Sequence, residues 1–187
     1  MLNKLREKLQ FQLQQIGKKF TATGLSANFW TTIGLCFGFS SAIIYAVHLE
    51  YSFILGGVLL LVSGFFDIVD GQVARITGQT SKKGAFLDSV FDKIVEVAIF
   101  LGILIGGYSQ GYLVLLAIGL SLLVSYTRAR AESLGVQLQG VGIGERAERL
   151  LIIAIIGMVR MDYAIIAVVI ITGITLTQRI IYTYRNM

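Results

Sequence analysis

Six apolar runs, at roughly 28–48, 51–74, 85–107, 111–132, 147–160 and 163–183, fill most of this 187-residue chain, with only short polar breaks between them. Crossing the hydrocarbon core of a bilayer takes about 20 residues of helix. The fifth run is short as it stands. Its helix is expected to begin earlier, near Gly144, with Glu145, Arg146, Glu148 and Arg149 at a wet end. A chain that is 55% hydrophobic, with mean hydropathy +0.75, is not a soluble domain of this size, and the length allows one membrane domain. The expected fold is an all-α integral membrane protein: six transmembrane helices over residues 21–187, preceded by an amphipathic surface helix over residues 1–20. In that leading segment Leu2, Leu5, Leu9, Phe11, Leu13 and Ile16 alternate with Lys4, Arg6, Glu7, Lys8, Lys18 and Lys19. The chain has no proline and one cysteine, Cys36, which lies in an apolar run and is read as packing; the lone histidine, His48, is read as a loop residue.

Charge sorts the breaks by side. The N-terminal segment, the 75–93 stretch, the 128–149 region and the C-terminal end hold every Lys and Arg except Arg160. Basic residues stay on the cytoplasmic side, and an even number of crossings returns both termini there. The net charge of +5 is therefore a signal for membrane surface and phosphate; no nucleic-acid module is present. Gly34-Leu-Cys-Phe-Gly38 is a small-xxx-small pattern that marks close helix packing, within a subunit or between subunits. Trp30, Tyr108, Tyr112, Tyr182 and Tyr184 near the ends of runs read as interfacial anchors.

Four aspartates lie on that same side: Asp67-Ile-Val-Asp70-Gly71-Gln-Val-Ala74-Arg75, then eight residues, then Gly84-Ala-Phe-Leu-Asp88-Ser-Val-Phe-Asp92. Spacings of three and four put each pair on one helix face. Two such helices facing each other bring four carboxylates into one small volume, which requires cations. All-oxygen donors suit hard divalent ions such as Mg²⁺ or Mn²⁺, and a two-metal cluster activates a phosphoryl centre. Gly71 permits close approach of a ligand, Ala74 keeps the face small, Arg75 suits a phosphate oxygen and Ser81 offers a hydroxyl. The alternative is a solvated loop in which the carboxylates pair with Arg75, Lys82, Lys83 and Lys93. It leaves the glycines between the pairs unexplained. A second polar set, Arg128, Arg130, Glu132, Glu145, Arg146, Glu148, Arg149 and Arg179, lies at the wet ends of three helices and suits an anion pocket. Arg179 in particular interrupts an apolar run with no acidic residue of its own to pair with. A metal channel or carrier would space polar groups through the membrane depth, whereas the later runs have nearly uncharged cores.

The pattern Asp67-x2-Asp70-Gly71-x2-Ala74-Arg75-x8-Gly84-x3-Asp88-x3-Asp92 resembles, without a gap, the signature of the CDP-alcohol phosphotransferases, and the resemblance runs over nearly the whole chain. It implies transfer of a phosphatidyl-type group from a CDP-linked lipid to an alcohol, with release of CMP. By the same resemblance Asp67, Asp70, Asp88 and Asp92 hold two divalent cations, Mg²⁺ or Mn²⁺, and Asp92 doubles as the base. Asn28, Thr31, Asp67, Gly71, Ala74, Arg75 and Ser81 fall where the family binds the CDP-lipid. The family commonly has proline before the residue matching Asn28; this chain has Ala27. The set around Arg128, Arg146, Arg149 and Arg179 is similar to that of the phosphatidylinositol-phosphate synthases, though many of those carry Lys at the position of Arg128. That likeness implies an anionic polyol acceptor, inositol phosphate before glycerol phosphate. Nothing in the apolar runs separates an archaeol donor from a diacylglycerol one. A homodimer in the lipid bilayer is expected.

Overall fold

The computed structural model describes residues 10–47 and 49–187. The expectations for residues 1–9, for the Phe11 side chain and for His48 lie outside the described residues. Seven helices and no strand occur among the described residues: α1 (Gln10–Thr21), α2 (Ala27–Val47), α3 (Ser52–Thr77), α4 (Lys82–Ile105), α5 (Gly111–Ser133), α6 (Arg146–Gly157) and α7 (Met161–Arg185). Each apolar run has become one helix, with ends within a few residues of those expected. Four of them, α2, α3, α5 and α7, are long and apolar enough to cross a membrane. Charges at Lys82, Lys83, Asp88, Asp92, Lys93 and Glu96 set α4 apart from these. α6 has 12 residues, about 18 Å of rise. It begins at Arg146 rather than near Gly144, because residues 135–145 form an irregular segment instead of a first turn.

The α3–α4 connection is a compact link. Gly78, at φ +67°, ends α3 in the left-handed conformation, and its N–H bonds the Ala74 carbonyl. Ser81 caps α4 by accepting a hydrogen bond from the Gly84 N–H at 3.0 Å. This short reversal brings the two aspartate-bearing ends together.

Small residues set the spacing of the bundle. A side chain on Gly102 of α4 would meet the Ala42 carbonyl of α2 at 2.2 Å, so α2 and α4 touch backbone to backbone. The expected close packing of Gly34 and Gly38 occurs within the subunit, against α3 and α4: Ser63 Oγ donates to the Gly34 carbonyl at 2.8 Å, and Gly38 lies against Val95. The main core, which includes Tyr45, Leu60, Ile99, Phe100, Ile103, Ile153 and Val168, fills the half of the bundle away from the aspartates. A second cluster lies at the aspartate end, where Ile16 and Phe20 of α1 close over Trp30, Phe66, Val69 and Val73. Lys18 and Lys19 stay exposed. Large apolar side chains such as Ile43, Leu115, Ile155 and Ile170 face outward. That surface suits lipid rather than water.

Candidate active site

At the aspartate end, Asp67, Asp88 and Asp92 each offer a carboxylate oxygen within 4.8 Å of the others. Ligands on opposite sides of one Mg²⁺ are about 4 Å apart, so this all-oxygen set fits hard divalent cations. Asp70 is not one of the three. It is buried, with Thr31 as a hydrogen-bonding neighbour, and it faces the same cleft. Thr31, Ser63 and Val95 also line that cleft. The expected convergence of four carboxylates is thus three at one point with a fourth beside them.

Arg146 enters this cluster. Its Nη1 lies 2.8 Å from Asp92 Oδ1 and 3.2 Å from Asp67 Oδ1. The two carboxylates compensate a guanidinium that burial alone would disfavour. Arg146 meets two of the four carboxylates, and the site remains rich in acidic groups. Lys82 and Lys83 are exposed, and no ion pair of either with an aspartate is found among the described residues. Lys93 pairs with Glu96. Among the described residues, the three lysines of that alternative therefore form no ion pair with the aspartates.

The residues expected on the donor side occupy the rim. Asn28 is exposed on the first turn of α2, and its carbonyl accepts from Thr32 Oγ1. Thr31 reaches the cleft floor. The Ala27 N–H donates to Gln79 Oε1 at 3.4 Å, tying the start of α2 to the α3–α4 link. Around Gly71 there is room, since an added side chain would meet only Arg75 Nη2 at 3.5 Å. Arg75 is exposed at the end of α3. Ala74 is half-buried against the Trp30 cluster. Ser81 spends a lone pair on the α4 cap and keeps its O–H to donate.

The basic set divides in two. Arg128 Nε bonds Glu132 at 2.9 Å and its Nη1 lies 4.0 Å from Glu145. Arg179, nearly fully buried, donates to the Val124 and Val141 carbonyls and reaches Glu145 at 3.4 Å. Arg179 thus has an acidic partner after all, contributed by the segment before α6. Arg149 does not join this group. Its guanidinium is fully buried, 2.7 Å from Glu96 Oε1 through Nε and 2.6 Å from the Gly144 carbonyl through Nη1. Its expected place in the acceptor pocket, or opposite Glu145, is corrected accordingly. Glu96 and Lys93 were missed as partners. The available signal was spacing: Glu96 is four residues past Asp92, one turn deeper in an apolar run, where a carboxylate needs a cation. Thr175 Oγ1 was also missed; it accepts from the N–H groups of Ile143 and Gly144 and pins the segment before α6 to α7.

Carboxylates suited to divalent cations, lining a cleft with Arg146 at one end of a helical bundle, suit a site for transfer of phosphate-linked groups. Comparison with known proteins gives the class. Residues 25–180 match the CDP-alcohol phosphatidyltransferase model, and the chain belongs to that family. It is a CMP-releasing transferase and an integral membrane protein. The chain is 37% identical over 181 residues to the archaetidylinositol phosphate synthase of Pyrococcus horikoshii, covering 96% of this chain and 95% of that one. Two solved structures of the Mycobacterium tuberculosis phosphatidylinositol phosphate synthase share the fold at 24% identity. The one with CDP-DAG bound has a TM-score of 0.77 over 92% of this chain and 93% of the other. The one in complex with manganese and citrate has a TM-score of 0.78 over 92% and 88%.

Proposed function

We propose that this enzyme transfers the phosphatidyl-type group of a CDP-linked lipid, built on archaeol or diacylglycerol, to a hydroxyl of inositol phosphate. The observation that carries the acceptor is the meeting of Arg128 and Arg179 at Glu145, whose chain neighbour Arg146 touches Asp92. An anion recruited by these guanidinium groups arrives beside the carboxylate that takes its proton. The names of the archaeal relative and of the mycobacterial neighbours support the same reading. Arg149 is left out of the pocket because its guanidinium is committed to Glu96 and Gly144.

Asp67, Asp70, Asp88 and Asp92 would hold two divalent cations, Mg²⁺ or Mn²⁺, which when bound neutralise the diphosphate and polarise the phosphorus; the mycobacterial manganese complex supports this choice. Asp92 accepts the hydroxyl proton of the acceptor. The acceptor oxygen then bonds to the lipid-linked phosphorus, the bond to the bridging oxygen breaks, and CMP leaves. On the donor side Arg75 and the Ser81 hydroxyl meet phosphate oxygens, Gly71 and Ala74 keep the approach open, and Asn28 and Thr31 close the α2 edge. Arg128, Arg146 and Arg179 bind the phosphate of the acceptor.

The test is a set of initial rates of CMP release with inositol phosphate, glycerol phosphate, serine and free inositol at matched concentrations. Inositol phosphate is expected to lead. A lead for glycerol phosphate keeps the pocket and removes the inositol assignment; a lead for serine or free inositol removes the pocket.

The same reading has all six helices α2 to α7 crossing, with both termini and the site cytoplasmic, and two copies forming a homodimer. The distribution of basic residues supports the sidedness. In a Cys36→Ala background, Gln110→Cys should react with an impermeant thiol reagent from outside the cell and Gln137→Cys should not; the reverse labelling overturns the orientation. Light scattering of the detergent-solubilised protein should give two chains per particle, and one chain removes the dimer.

A further inference from the structure

The reaction uses Arg146, but nothing so far explains what holds Arg146 in place. It is the first residue of a 12-residue helix that follows an irregular segment. The principal packing partners of α6 are α3 and α7, yet Arg146 reaches Asp92 on α4. Two rungs tie α6 to α4. The upper is Arg146 to Asp92 at 2.8 Å, with both side chains about one-fifth exposed. The lower is Arg149 to Glu96 at 2.6–2.7 Å, with side chains 0% and 2% exposed. The spacings match: Arg146 and Arg149 are three apart on α6, and Asp92 and Glu96 are four apart on α4. Each is one helical turn.

The lower rung is built with few spare contacts. One Glu96 oxygen faces Arg149 and the other is held by Lys93 Nζ at 2.5 Å. Arg149 also donates to the Gly144 carbonyl, two residues before Arg146. A slip of α6 by one residue moves a side chain about 1.5 Å and turns it about 100°. Apolar neighbours accept such a slip far more readily than an ion pair shut away from water, because separating the pair strands a charge. The dry rung therefore sets the height and rotation of the wet one.

We propose that Glu96 and Arg149 are positioning residues whose buried pair fixes α6 against α4, so that Arg146 is delivered to Asp67, Asp92 and the acceptor. The inference rests on the reading of Arg146 as an acceptor contact. If the pair only stabilised the bundle, its loss would weaken donor and acceptor alike.

A double-mutant cycle separates the two. The variants are Glu96→Gln/Arg149→Gln, which removes both charges together, Arg146→Gln, and the combination of all three, in full-length protein in mixed micelles with Mg²⁺. CMP release is measured with donor and acceptor varied in turn, using the acceptor the wild type turns over best. The paired variant is expected to raise the acceptor KM about tenfold and to leave the donor KM within about twofold. In the Arg146→Gln background it should add less than about twofold, because the residue through which it acts is gone. Equal rises for donor and acceptor overturn the proposal, and so does a rise in the combined variant equal to the product of the two separate effects. If the paired variant does not fold, Arg149→Lys, which keeps the cation, carries the test; about a threefold rise that disappears in the Arg146→Gln background is expected, and its persistence there overturns the proposal. A wild type that prefers an uncharged acceptor refutes the proposed acceptor alone, since the cycle run on that acceptor still decides whether the pair acts through Arg146.

Discussion

The two charged regions of this molecule face each other and are built on opposite plans. At the α3–α4 junction, four carboxylates gather beside the Arg146 guanidinium, and Asp67 and Asp88 stand open to solvent. At the ends of α5 and α7 and in the segment between α5 and α6, Arg128 and Arg179 each already have an acid: Glu132 for Arg128 and Glu145 for Arg179. The acidic region is under-compensated and draws in cations. The basic region is self-compensated, so on the proposed reading an incoming phosphate competes with a glutamate for its place. On that reading one region waits to be filled, and the other exchanges one anion for another.

The largest effect is expected from emptying the acidic region. A chelator should abolish CMP release, Mg²⁺ or Mn²⁺ should restore it, and Asp67→Asn should remove both metal binding and turnover. Full turnover in chelator would break the contrast between the regions. Next comes Asp92→Asn. It is expected to lower turnover by roughly 10²–10⁴ through loss of the base, with CDP-lipid binding measured by equilibrium dialysis largely retained. An equal loss of donor binding would make Asp92 a metal ligand first. The smallest effects belong to the basic region and have opposite signs. Arg179→Gln should raise the acceptor KM about tenfold, since a charge-assisted contact is worth about 1.5–3 kcal/mol. Glu145→Gln removes the competing acid from a partly exposed pair worth up to about 1 kcal/mol, so the acceptor KM should fall by up to about fivefold. A rise in KM on Glu145→Gln would mean that this glutamate helps hold the acceptor rather than competing with it.

The acidic region was legible in the sequence because it is local: two helix ends joined by a short link, with every ligand within residues 67–92. Spacing alone did not show which carboxylates would converge. Residues three apart differ by about 60° around a helix, and residues four apart by about 40°. Asp88 and Asp92 stay together while Asp70 turns aside from Asp67 into the buried side of the cleft. The basic region was legible as a set of residue types and not as a set of pairs. Arg179 and Glu145 are 34 positions apart, and Arg149 and Glu96 are 53 apart. Such pairings depend on how whole helices pack, and periodicity says nothing about that. The fold followed the apolar runs closely. The exception is the start of α6, where Thr175 takes the Ile143 and Gly144 N–H groups and fixes an irregular approach.

The compact link between α3 and α4 also bears on how the chain is born. The helices that carry all four aspartates are neighbours in sequence and can pair as soon as both have left the ribosome, whereas Arg146 follows Asp92 by 54 residues. At about 5–20 residues per second that gap lasts roughly 3–10 s. Through that interval the nascent hairpin carries its carboxylates without the α6 guanidinium. The order of synthesis thus gives metal ions access to the cluster before Arg146 arrives.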